Sequence, residues 1–288
     1  MSLWHVIVLA VVQGLAELLP VSSSAHVIVA EKLMGMDPAA PETTLLLVML
    51  HTGTMFAVIA YFWKRWRQAF FQSAADFWRF VIALILATAL TGVVGGALTK
   101  AIEKFAFRNE PHAWVEQLFG RLDLIAAALA AAGVLILCAG LRENRTGAPE
   151  TGSTEIHFQQ AGWIGAVQGF CLPFRGFSRS GATISTGMLA SVAKARAEDF
   201  SFALAVVLTP VAIAREGLRL VQTQHLTSAA SLMPALVPGL IGAAFAFLAG
   251  LLALKWLSRW LEAGRWYWFG IYCLAAAAVV GFLYHAGY

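Results

Sequence analysis

Lipid offers no hydrogen bonds, so backbone facing it must be helical or closed into a barrel. That rule bears hard on this chain. Six of its stretches are apolar and long enough to cross a hydrocarbon layer about 30 Å thick as helices: Thr43–Trp63, Phe77–Thr99, Leu118–Leu141, Phe200–Val221, Met233–Leu257 and Trp266–Tyr284. Polar joints separate them, at 64–68, 100–112, 142–155 and 258–265. The expected fold class is an all-α polytopic membrane protein. Composition agrees: 59% of the 288 residues are hydrophobic and 12% charged, about half the charge of a soluble domain. A net charge of +4 suits a bilayer with anionic headgroups and is too small to suggest nucleic acid as a partner. Cys138, Cys171 and Cys273 are odd in number and widely spaced, so neither a disulfide framework nor a zinc site is indicated. The first basic residue is Lys32, so a signal peptide is not expected.

Two further apolar stretches, 3–33 and 158–193, are broken by proline, serine and glycine. Each half is too short to span. Each stretch therefore reads as a re-entrant hairpin, a half-helix in, a polar tip and a half-helix out; the alternative is one kinked span. Their sequences match in outline: VVQGLAELLPVSSSAHVIVA near the start, AVQGFCLPFRGFSRSGATIS from Ala166. Each hairpin precedes three spans. The chain thus divides into repeats at 1–145 and 146–288. Three spans is an odd number, so the second copy enters from the opposite face, giving an inverted-topology repeat with its site where the two tips meet. With the N-terminus outside, eleven Lys/Arg fall in cytoplasmic joints and seven in external ones. That balance favours both termini outside.

The tips carry the chemistry. Half-helices should begin near Val21–Ser24 and Phe177–Ser180. Their first turns have unpaired N–H groups and partial positive charge, so two facing starts make an anion site suited to phosphate. Arg179 adds a planar cationic fork. Gly176 lies beside it at the tip, and Ser178, Ser180 and Thr183 add hydroxyls. In the first tip Gln13 and Glu17 share a helix face. Glu17 can hold a divalent cation, with Gln13 in support, or take a proton. His26 lies one turn beyond Ser23, which makes a nucleophile beside a base and an anion cradle. Ser22 and Ser24 can bind phosphate or cap the helix. His51 lies within a span, where lining the cavity and a structural role are both open, and it is left out of the expected site. Arg215 and Glu216 read as an interfacial pair, Glu103, Glu110 and Glu116 as solvated loop charges, and Trp63, Trp66, Trp266 and Trp268 as interface anchors.

At these residues the chain resembles the undecaprenyl-diphosphate phosphatase family, whose first motif is (E/Q)-x-x-x-E followed by P-V-S-S-x-x-H. Gln13, Glu17, Pro20, Val21, Ser22, Ser23 and His26 match it. The second motif, P-G-x-S-R-S-G-x-T, is matched through Gly176, Ser178, Arg179, Ser180, Gly181 and Thr183. Two departures stand out. Gln13 replaces a possible carboxylate ligand, and Arg175 precedes Gly176 with the proline moved back to Pro173, which adds positive charge beside the phosphate site. The resemblance implies hydrolysis of a C55 polyprenyl diphosphate at the external face of a bacterial cytoplasmic membrane. Mg²⁺ or Ca²⁺ is the implied cofactor. The expected partners are the lipid, the bilayer and, as an open alternative, a second copy in a homodimer. Ser23 is expected to attack phosphorus with His26 as its base; the rival assignment makes His26 the nucleophile. Two other classes remain open at this stage: a lipid-phosphate transporter or flippase, and a phosphate-binding scaffold without turnover.

Overall fold

A computed structural model describes residues 2–37, 40–106, 118, 120–146, 155–224, 233–262 and 265–287. Glu110, Glu116 and the side chains of Arg215 and Glu216 fall outside what it describes. The described residues form helices α1 (Leu3–Leu18), α2 (Ser23–Leu33), α3 (Pro41–Phe70), α4 (Ala74–Ala106), α5 (Leu122–Thr146), α6 (Phe158–Cys171), α7 (Arg179–Leu189), α8 (Lys194–Gln224), α9 (Met233–Glu262) and α10 (Tyr267–His285). Six of these, α3, α4, α5, α8, α9 and α10, are long and apolar enough to cross a membrane. The protein is an all-helical, multi-pass membrane protein.

The long helices overrun the expected ends. The polar joint at 64–68 lies inside α3, and α9 continues to Glu262. Lys and Arg are good helix formers; they mark where a helix leaves lipid, not where it ends.

Both broken stretches are helical hairpins. The α1 helix stops because Pro20 pushes Leu19 to extended backbone (φ −85°, ψ 152°). Val21 then turns tightly, its N–H donating to Leu19 O at 2.8 Å, and Ser22, at φ 69°, starts α2 from left-handed backbone. The second tip turns at Gly176 (φ 98°), where a Cβ would lie 2.6 Å from Ile125 O, so only glycine fits. The returning helices α2 and α7, 11 residues each, measure about 16 Å and cannot span. Each ends in paired backbone bonds around a left-handed residue: Gly35 and Met36 N–H donate to Lys32 O and Glu31 O, and Ser191 and Val192 N–H to Met188 O and Gly187 O. Gln160, near the start of α6, donates to Ala190 O at the end of α7, which closes the second hairpin.

Small residues set the helix crossings. Helix α1 packs on α9 and α6 on α4. A Cβ at Gly14 would meet Ala246 O at 2.7 Å, and one at Gly169 would meet Thr91 O at 2.7 Å. Helices α5 and α10 cross at Gly133 and Gly270 with equal intimacy. The largest apolar cluster includes Phe62, Trp66, Phe202 and Trp266. Two of the expected interface tryptophans are therefore core residues. Trp66 is buried and donates to Asp199 O, and Trp266 is buried and donates to Ser185 Oγ. An indole that finds an internal acceptor has no need of the headgroup layer. Trp63 and Trp268 stay exposed.

Candidate active site

The two tips meet. Gly176 N–H donates to Ser24 Oγ at 3.2 Å, and Ser180 Oγ donates to Leu19 O at 3.3 Å. These contacts join residues more than 150 apart in sequence and bring the starts of α2 and α7 together.

Glu17 is the hub. It sits in the last turn of α1, where Gln13, one turn back, donates Nε2–H to Glu17 Oε2 at 3.2 Å. Ser23, at the first position of α2, donates to the same oxygen at 2.5 Å. Arg179, at the first position of α7, donates from Nη2 to Glu17 Oε1 at 2.6 Å. The Nε2 atom of His51 on α3 lies 3.7 Å from Glu17 Oε2. A hydroxyl, a carboxylate and a guanidinium thus stand at two helix starts, where unpaired N–H groups favour anions.

His26 is placed differently from the sequence expectation. Its Nδ1 lies 2.7 Å from Ser22 O and its Nε2 2.7 Å from Tyr272 Oη on α10. The hydroxyl of Ser23 is engaged by Glu17, so in this arrangement the base in contact with the serine is the carboxylate. The reason is local: Ser22 has left-handed backbone, and its carbonyl accepts Nδ1–H one turn on.

The other expected residues divide. Ser24 bridges the tips, and its hydroxyl lies 3.3 Å from that of Ser22, which is buried. Ser178 caps α7, accepting from Gly181 N–H at 3.2 Å. Thr183 is fully buried, donates to Arg179 O and pairs with Ser201 at 2.5 Å. Ser178, Ser180 and Thr183 therefore build the tip that aims Arg179, because a buried hydroxyl must spend its hydrogen bonds internally. Arg175 lies within electrostatic reach of Glu31, which is buried on α2.

Sequence reasoning left out His51 and had no signal for Tyr272 or Cys273. His51 carried the ordinary signal of an imidazole inside a span. Tyr272 is one aromatic in an aromatic-rich helix, 246 positions from His26.

The protein's own donors do not make a complete cage for a divalent cation. Such an ion takes about six oxygen ligands, and Mg²⁺ draws most of them from water and substrate phosphates around one or two carboxylates. Here the carboxylate is single and paired with Arg179, and Gln13 presents its amino end to it. Among the described residues there is no group of three or more His, Cys, Asp or Glu that could hold a metal.

Fold and site together define an integral-membrane helical protein with a hydroxyl–carboxylate–guanidinium centre between two broken helices. The model of the bacitracin resistance protein BacA family matches residues 6–279, and the chain belongs to that family. It is 56% identical to undecaprenyl-diphosphatase 2 of Acinetobacter baylyi, with 97% of each chain covered. It is 37% identical to undecaprenyl-diphosphatase 1 of Burkholderia pseudomallei over 99% of each chain. Against undecaprenyl-diphosphatase 2 of Burkholderia ambifaria identity is 36%, over 96% of this chain and 95% of the relative.

Proposed function

We propose that this protein is an undecaprenyl-diphosphatase, hydrolysing undecaprenyl diphosphate to the monophosphate and inorganic phosphate. This recycles the lipid carrier of cell-wall synthesis, with bacitracin resistance as the consequence. The observation that carries the reading is the Ser23–Glu17 hydrogen bond at a helix start, with Arg179 on the same carboxylate.

Ser23 Oγ attacks the terminal phosphorus while its proton passes to Glu17 Oε2. The bond from that phosphorus to the bridging oxygen breaks, and the lipid monophosphate leaves. Arg179 has five N–H donors, enough to hold Glu17 and the transferring phosphoryl oxygens together, and the N–H groups of the α2 and α7 first turns stabilise the same charge. Water then attacks the phosphoserine with His26 Nε2 as base. The Ser23–phosphorus bond breaks, and the proton on Glu17 returns to the serine. The Mg²⁺ or Ca²⁺ implied by the resemblance, brought in with the substrate, would neutralise charge on the diphosphate, with Glu17 and Gln13 the protein groups that would face it; none of these steps depends on it.

The halves 1–145 and 146–288 are read as inverted repeats. Support comes from the matched pairings α1 on α9 and α6 on α4, seated on the corresponding glycines Gly14 and Gly169. The charge balance supports access from the external side of the cytoplasmic membrane. A carrier or scaffold has no use for a serine hydroxyl bonded to a half-buried carboxylate at a helix start, so those alternatives are set aside.

The test is phosphate release from C55 diphosphate by purified protein in detergent, with Mg²⁺ and with EDTA. Wild type should release phosphate, and Ser23→Ala should abolish it. A trapped phosphoenzyme should survive acid. An acid-labile adduct that vanishes in His26→Ala would overturn the serine assignment in favour of phosphohistidine.

A further inference from the structure

The nitrogen of His26 that remains available for proton transfer is not free in the resting site. Ser22 O can only accept, so His26 Nδ1, 2.7 Å away, carries the ring's proton. Nε2 is then the bare nitrogen, and the group on it is the Tyr272 hydroxyl, donating at 2.7 Å. The contact is more than one hydrogen bond. The two rings stack, with centroids 5.7 Å apart and planes 11° from parallel. The next residue, Cys273, is buried and donates its thiol to Pro20 O at 3.4 Å. Consecutive residues of α10 thus hold both ends of the first tip, its proline and its histidine. Tyr272 stays 47% exposed, so the phenol lies over Nε2 at the surface of the helix bundle and not in the packed core.

We infer that Tyr272 is a positioning residue for the diphosphatase reaction. Its ring sets the plane of the His26 imidazole, and its hydroxyl holds the bare Nε2 in place until the hydrolytic water replaces it, while Ser22 O fixes the Nδ1–H tautomer. This rests on the phosphatase reading above. It predicts that Tyr272 acts on the dephosphorylation of Ser23 and not on substrate capture, because it touches neither Glu17 nor Arg179 in the contacts described. Removing the hydroxyl of a tyrosine that only packs would leave the partition between steps unchanged.

The experiment uses full-length protein in detergent, with C55 diphosphate and Tyr272→Phe, which keeps the ring and removes the hydroxyl. Phosphate release should show kcat lowered about tenfold, less than the roughly 10²–10⁴-fold of a whole general base because His26 itself remains, and KM changed less than about twofold. Phosphoserine should accumulate in the steady state. In a His26→Asn background the same change should cost nothing further. With ¹⁵N-histidine labelling, the Nε2 resonance of His26 should move in Tyr272→Phe while thermal unfolding stays near wild type. An unaltered His26 resonance together with unaltered kcat would overturn the inference, as would an equal loss in the His26→Asn background. If wild type released no phosphate, the function reading would fail by itself, and the resonance would still report whether Tyr272 holds the ring.

Discussion

Of the arginine–carboxylate contacts that cross between the halves among the described residues, two behave as opposites. One is Glu17 with Arg179. The other joins Arg65 on α3 to Glu198 and Asp199 on α8, at 2.9 Å to each. His51 and Arg65 share α3 and are separated by about 21 Å along it. The Arg65 cluster is braced from several sides: Ser258 donates to Glu198, the Trp66 indole donates to the main-chain Asp199 O, and the guanidinium lies 5.0 Å from the Phe62 ring. The carboxylate side chains there are only 2% and 5% exposed, against 13% for Glu17. At Glu17 the additional partner is a serine at the start of a helix, with its hydroxyl proton aimed at the carboxylate. The lesson is that an intramembrane ion pair is not a functional site by its charges alone. Accessibility, and a hydroxyl placed at a helix start where first-turn N–H groups can receive an anion, separate a reactive centre from a clamp.

The sharpest way to break that contrast is to remove the proton donor. Ser23→Ala should lower phosphate release at least about 10³-fold with unfolding temperature unchanged, measured on the same detergent preparation. Arg179→Lys keeps the charge and loses the fork, and should cost about 10²-fold in kcat. The opposite pattern is expected at the clamp. Arg65→Met should leave Glu198 buried and uncompensated, destabilising the fold by about 3 kcal/mol, while kcat of the molecules still folded stays within about threefold. Chemical or thermal unfolding followed beside activity separates the two effects. A large loss of kcat in folded Arg65→Met would join the clusters into one functional unit. The smallest effect is expected at His51→Gln, which keeps a polar group near Glu17 and should change kcat/KM by less than about tenfold.

The two tips also differ although their sequences match. Gln13 and Gln168 occupy equivalent places in the VQG words. Gln13 donates to Glu17, whereas Gln168 donates to Thr91 Oγ1 at 3.3 Å and is buried in the α4–α6 crossing. The first tip supplies the carboxylate and hydroxyl, and the second supplies the arginine and the scaffold that points it. That Arg179 would stand where the two tips meet could be read from its motif. That Ser178, Ser180 and Thr183 turn inward could not, since a hydroxyl in a sequence carries no record of the acceptor it will find.

By itself, the sequence determined the number of long helices, the two breaks and the residues gathered around them. Those are consequences of local chemistry: apolar length against bilayer thickness, proline and glycine against helix continuity, serine at helix starts. Tertiary structure alone decided the pairings. Glu17 rather than His26 meets Ser23, Tyr272 covers His26, and Trp66 and Trp266 are buried instead of anchoring at the interface. The Tyr272 contact and the two buried indoles join helices distant in sequence, whereas the Ser23–Glu17 bond is set by the tight turn between α1 and α2. A hydrogen bond lasts only over a few ångströms, so its partner is settled by where packing stops and not by the identity of either residue.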